Sequence, residues 1–128
     1  MAGLALLYDD STDIQLRIGP LLAACSPSLY LVVVDSADAV REYVDSGRAT
    51  VLLAGAAPDL VTAATTALLS CDRMVPLIRL LKSHDLAPPA ATACVRLDGT
   101  LSVASLTAAL RKAARLLSEP TGEEVRRS

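Results

Sequence analysis

The sequence predicts an α/β fold in which a parallel sheet is covered by helices on both faces. Three observations carry this expectation. Apolar runs of strand length alternate along the chain with stretches of helical periodicity. The strand candidates are nearly continuous apolar runs, such as LALLY at 4–8 and LYLVVV at 29–34, a pattern that suits strands buried on both faces. The length, 128 residues, is enough for one sizeable core and corresponds to one domain.

The first strand takes residues 4–8, and a helical pattern follows over 12–25 with Ile14, Leu16, Ile18, Leu21 and Leu22 as its apolar members. Gly19-Pro20 interrupts that pattern. Proline has no N–H and crowds the carbonyl of Leu16, so a kink or a broken helix is expected. Ser26-Pro27-Ser28 turns the chain into the second strand, 29–34, which is rich in β-branched residues. Asp35 or Ser36 caps a helix that reaches about residue 46, with Val40, Tyr43 and Val44 as its buried stripe and Gly47 as its stop. The third strand spans 50–53.

Pro58 suits the first turn of a third helix over 58–71, and Asp59 suits the positive end of its dipole. Its small residues Thr62, Ala63, Ala64, Thr65, Thr66 and Ala67 permit close packing, within the chain or against a second copy. The fourth strand takes 74–81 and the fifth 92–97. Ser102 opens the last helix, which runs to about 117 with Val103, Leu106, Leu110, Ala113 and Leu117 on one face. Arg111, Lys112 and Arg115 fall near its negative end.

One connection is anomalous. Residues 82–91 must lead from the fourth strand to the fifth, and a parallel crossover with its helix needs at least about ten to twelve residues. Pro88-Pro89 stand where such a helix would need N–H groups, so a fourth helix between these strands is missing or vestigial. Beyond residue 118 the chain carries Pro120, Gly122 and charges without periodicity. The expected organisation is one domain over 1–118 and a disordered tail or linker over 119–128.

Composition narrows the function classes. Twelve Lys and Arg stand against fourteen Asp and Glu, a net charge of -2, which gives no electrostatic reason to expect nucleic acid or an anionic membrane as partner. Cys25, Cys71 and Cys94 form no C-x-x-C pair and sit in apolar contexts, as buried structural thiols do. The opening apolar run ends at Asp9, too short for a signal peptide. No apolar run approaches the roughly 20 residues that span a bilayer, so a cytoplasmic location is expected. Gly-rich phosphate loops are absent from the sequence.

The most informative feature is the pair Asp9-Asp10, placed directly after the first strand. The segments Leu6-Leu7-Tyr8-Asp9-Asp10-Ser11-Thr12-Asp13-Ile14, Leu52-Leu53-Ala54-Gly55-Ala56-Ala57-Pro58 and Cys94-Val95-Arg96-Leu97 resemble the opening, phosphoacceptor and closing motifs of the response-regulator receiver (CheY-like) domain. The resemblance covers about residues 3–117. It implies a flavodoxin-like, doubly wound five-stranded parallel sheet of order 2-1-3-4-5, with the functional site at the carboxyl edge of the sheet.

Carried over residue by residue, the resemblance is mostly a record of losses. Asp9 and Asp10 match the family's metal-binding acids. Its phosphoacceptor aspartate matches Ala54, whose methyl group cannot attack phosphorus. The hydroxyl residue ending the fourth strand matches Leu81. The lysine of the fifth strand matches Arg96, which keeps the charge without the compact ammonium, and the proline after it matches Leu97. The aromatic residue that reports phosphorylation matches Ala93.

The chain therefore resembles a pseudo-receiver: a non-catalytic signalling module that acts by protein–protein contact or dimerisation, independently of phosphorylation. The expected partner is a regulatory protein or a second copy, with no cofactor. Two carboxylates and the Ala56 carbonyl make a weak divalent-ion site, and a solvated acidic edge or an Asp9–Arg96 pair is the plainer expectation. The expected contact surface is the sheet face bared by the lost helix, with Arg79, Lys82 and the His84 loop, and secondly the outer side of the last helix at Arg111 and Arg115. Arg79, a charge inside a strand, would reach water or a partner across that face, or snorkel at a bend. Two alternatives use other chemistry. Asp9, Asp10, Arg96 and Asp98 would hold a small polar molecule, or a cysteine would carry a phosphoryl group, although none of the three lies at a strand's carboxyl end beside anion-binding amides. His84 beside Asp85 lies in a proline-flanked loop, a poor setting for nucleophilic chemistry.

Overall fold

The computed structural model describes residues 3–9, 12–26, 28–55, 58–71, 74–82, 93–97 and 101–118. Five strands, β1 (Gly3–Tyr8), β2 (Leu29–Val34), β3 (Ala49–Ala54), β4 (Leu77–Leu81) and β5 (Ala93–Arg96), form one parallel sheet of order β2-β1-β3-β4-β5. Helices α1 (Thr12–Cys25) and α4 (Val103–Ser118) pack on one face. Helices α2 (Ala37–Asp45) and α3 (Pro58–Leu69) pack on the other. This is the doubly wound, flavodoxin-like architecture that the alternation of elements predicts.

Strand alternation divides the core in two. Ala5, Leu7, Val51, Leu53, Ile78, Leu80, Ala93 and Val95 meet Ile14, Ile18 and Leu22 of α1 and Leu106, Ala109 and Ala113 of α4. Leu6, Tyr8, Val34, Leu52 and Ala54 meet Val40 and Val44 of α2 and Ala64 and Ala67 of α3. The small residues of α3 thus serve packing within the chain, since Ala64 and Ala67 let α3 lie close to α2 and the sheet.

Helix α1 is not broken at Gly19-Pro20; Pro20 sits inside it. The reason is position. Pro20 is exposed, and Leu16, whose carbonyl loses its N–H donor, is 71% exposed. The released carbonyl therefore belongs to the solvent side, while the stripe Ile14, Ile18 and Leu22 stays buried without interruption. Leu16 is accordingly not a core member. Strand β4 begins at Leu77 rather than residue 74, because Pro76 has no N–H for the ladder; its carbonyl accepts from Leu52 N at 2.9 Å. Helix α3 ends at Leu69, two residues early, as Ser70 and Cys71 tighten into bonds to Ala67 and Leu68 carbonyls three residues back.

Local signals act as expected at the caps. Ser36 Oγ accepts from Ala39 N at 3.1 Å, and Gly47 ends α2 with φ of 77°. Ser102 and Ser105 exchange reciprocal bonds: Ser102 Oγ accepts from Ser105 N at 3.2 Å, and Ser105 Oγ accepts from Ser102 N at 2.9 Å. Val103 is exposed and does not join the buried stripe of α4. The expected absence of a helix between β4 and β5 falls on residues 83–92, outside the described residues, as does the tail from residue 119.

Candidate functional site

The carboxyl edge of the sheet is built from the ends of β1, β3, β4 and β5. Asp9, the residue after β1, is 4% exposed, so it is not the solvated acid that its sequence position suggests. Its carboxylate leans across to the end of β3 and lies over Gly55. A Cβ on Gly55 would overlap Asp9 Oδ2 and approach Asp9 Cγ to 2.7 Å and Leu60 Cδ1 to 2.8 Å. Gly55 N donates to Tyr8 O at 2.8 Å, which holds the two strand ends together at this approach. Gly55 is the residue that sequence reasoning missed. The signal was present: a glycine immediately follows the strand end that faces the acid.

Beside this pair the floor is apolar. Ala54 is wholly buried in the α2/α3-side core, with Tyr8 and Arg79 as its ladder neighbours. Leu81 is 3% exposed. Arg96, at the end of β5, is half-buried, and its Nη1 donates to Lys82 O at 3.2 Å, which ties the ends of β5 and β4. Among the described residues no three His, Cys, Asp or Glu side chains converge as a metal site needs. Asp9 brings one carboxylate, and the place of a third acid is filled by the methyl group of Ala54. Among the described residues, one carboxylate is too few donors for a divalent ion. Asp10, Ala56, His84 and Asp98 lie outside the described residues.

The register explains Arg79. Residues paired across a ladder share a face, and Val34, Tyr8, Ala54, Arg79 and Cys94 form one continuous row across the sheet. Arg79 therefore stands directly beside Ala54, on the α2/α3 side. The residue is half-buried, and its Nε is buried with no hydrogen-bond partner among the described residues. On this face of β4, Leu81 is closed to solvent and Arg79 is half-buried. Lys82 is exposed at the strand end, whereas Arg111 and Arg115 are exposed on α4, across the sheet from Arg79. Arg79 and the pair Arg111 and Arg115 thus stand on opposite sides of the sheet.

The cysteines are half-buried rather than buried, and all three are free. Cys25 Sγ accepts from Thr107 Oγ1 at 3.2 Å and lies 3.3 Å from Val103 O, joining α1 to α4. Burial, followed by the negative charge of Asp45, raises the Cys71 thiol above its ordinary pKa. A raised pKa leaves less thiolate at a given pH, so alkylation of Cys71 is expected to be slower than that of a free thiol at mildly alkaline pH. Its onset should move to higher pH, as peptide mapping after timed iodoacetamide treatment would show.

No protein-family model and no curated protein matches the chain. Solved structures do. The receiver domain of the sensor histidine kinase PA1611 from Pseudomonas aeruginosa PAO1, determined with a magnesium ion in its active-site cleft, matches with a TM-score of 0.66 at 18% identity, covering 89% of this chain and 99% of that one. A CheY-like receiver domain from Methylobacillus flagellatus gives 0.63 at 15% identity, covering 88% and 99%. The chain has the CheY-like receiver fold. The pseudo-receiver domain of the CikA protein shares this receiver fold too, with a TM-score of 0.59 at 12% identity, covering 89% of this chain and 98% of that one. Among the described residues no helix is long and apolar enough to cross a membrane.

Proposed function

We propose that this chain is a degenerate receiver, a cytoplasmic signalling module that works by protein–protein contact and takes no phosphoryl group. The single observation that carries the reading is Ala54. It ends β3, wholly buried, where the resemblance to receivers calls for the nucleophilic carboxylate. Phosphoryl transfer needs a nucleophile in line with phosphorus and cations to neutralise the equatorial oxygens. A methyl group supplies no lone pair, Leu81 supplies no hydroxyl, and Asp9 is packed over Gly55. The likeness to receiver domains of sensor kinases and response regulators supports a place in two-component signalling.

Without a covalent input, the state of such a module changes only through a ligand that binds one state better than another. A regulatory protein or a second copy fits that role, and no cofactor is required. Contact at Arg79 and contact at Arg111 and Arg115 would be independent, since the sheet separates them. Amide NMR spectra recorded with magnesium and beryllofluoride, a mimic of an aspartyl phosphate, test the reading. The amides of Asp9, Gly55 and Leu81 are expected to show no saturable shift; saturation at these sites would refute it.

A further inference from the structure

We infer that the free edge of β2 pairs with β2 of a second copy, joining two five-stranded sheets into one. The observation is a contrast between the two edges of the sheet. At one end stands β5, four residues long and ending in Arg96. Short length and charge are the usual protections of an edge. At the other end stands β2, six residues long, with the sequence LYLVVV and neither charge, proline nor glycine. Its register with β1 runs unbroken from Leu29 to Val34, so no bulge twists the edge away. Tyr30 is 62% exposed and Val33 41%, on opposite faces of the sheet, since Tyr30 pairs with Leu4 and Val33 with Leu7. The edge is apolar above and below, with outward backbone groups between.

Geometry selects the occupant and its direction. A closed pair of identical chains is related by a two-fold axis, and an axis normal to the sheet makes the paired strands antiparallel. Because side chains alternate, even-numbered residues must then oppose even-numbered ones if the two faces are to continue. Centring the axis on Val32 sets Tyr30 against Val34 and Leu31 against Val33 of the second copy, aromatic and aliphatic contacts of the kind that stabilise ladders.

Charge agrees with this direction. Asp35, exposed, follows the strand at one end. At the other end a groove lined by Ser28, Leu29 and Tyr30 also holds Arg48, which is exposed. Neither Asp35 nor Arg48 is paired among the described residues. Antiparallel pairing brings Asp35 of each copy to the end of the sheet at which the other's Arg48, just before β3, lines the groove beside Leu29 and Tyr30, and it keeps the two Asp35 residues apart. A parallel arrangement would set like ends together. The inference does not rest on the loss of phosphorylation and holds whether or not the chain accepts a phosphoryl group.

The test is the mass of the full chain in solution by light scattering over a concentration series, with the Tyr30→Lys/Val33→Lys variant beside it. Both residues are exposed, Tyr30 more than Val33, so the variant should keep its circular dichroism. The expected result is a doubled mass for the native chain and the loss of dimer in the variant. Hydrogen exchange on the native chain makes the test independent of the variant's folding: amides of 29–34 should gain protection as concentration rises. A native chain that stays monomeric overturns the inference and leaves the edge to a strand from another protein. A dimer that survives both lysines, or that leaves exchange at 29–34 unchanged, also overturns it.

Discussion

An aspartate placed at position 54 is expected to be tolerated only while Arg79 is present. Ala54 is wholly buried in the α2/α3-side core beside Tyr8, where a lone carboxylate would be severely penalised. Its ladder neighbour on the same face is Arg79, whose Nε is buried without a partner among the described residues. An Asp at 54 would meet that guanidinium and satisfy it. Ala54→Asp alone should therefore cost modestly, whereas Ala54→Asp with Arg79→Met should cost about 3–5 kcal/mol, the scale of an unpaired buried charge. Urea unfolding of the two single variants and the double variant measures the coupling. Additive effects would show that Arg79 does not serve position 54. The same pairing implies that restoring the acid does not by itself restore a phosphoacceptor, because the carboxylate would be held by Arg79.

Gly55→Ala is the second large effect. A methyl group there would overlap the Asp9 carboxylate and crowd Leu60, so either the buried acid or the end of β3 must move. Overpacking of this kind costs about 1–3 kcal/mol. Asp9→Gly should recover much of the loss when combined with Gly55→Ala, because it removes the overlapping atoms. Equal losses in Gly55→Ala and the double variant would contradict the placement of Asp9 over Gly55. Because Gly55 has a negative or extended backbone, unlike Gly47, the penalty is one of space and not of left-handed conformation.

Much of the fold was legible because its signals are local and repeated. The β-branched run at 29–34 has the bounds of β2, the Ser36 cap and Gly47 stop bound α2, and the alternation of elements leads to a parallel sheet. The misreadings share a cause: they depend on which side of an element faces water. Gly19-Pro20 predicts a kink or a break in α1, and the break does not occur, because Pro20 lies with Leu16 on the solvent side and spares the buried stripe. Leu16 reads as an apolar member of the α1 stripe, yet it is 71% exposed. At the candidate site the residue types were readable: Ala54, Leu81 and Arg96 at strand ends, and Arg79 as a charge within a strand. Their relations were not. That Asp9 is buried over Gly55, and that Arg79 stands beside Ala54, follow from the register between strands distant in sequence.

The central claim is that the receiver fold here carries no phosphorylation chemistry. It is tested most directly by intact mass after incubating the native chain with acetyl phosphate and magnesium, with a phosphorylatable receiver domain as positive control. The mass is expected to remain that of the unmodified chain while the control gains a phosphoryl group. A phosphoryl adduct on the native chain, mapped to Asp9 or Asp10, would contradict the account.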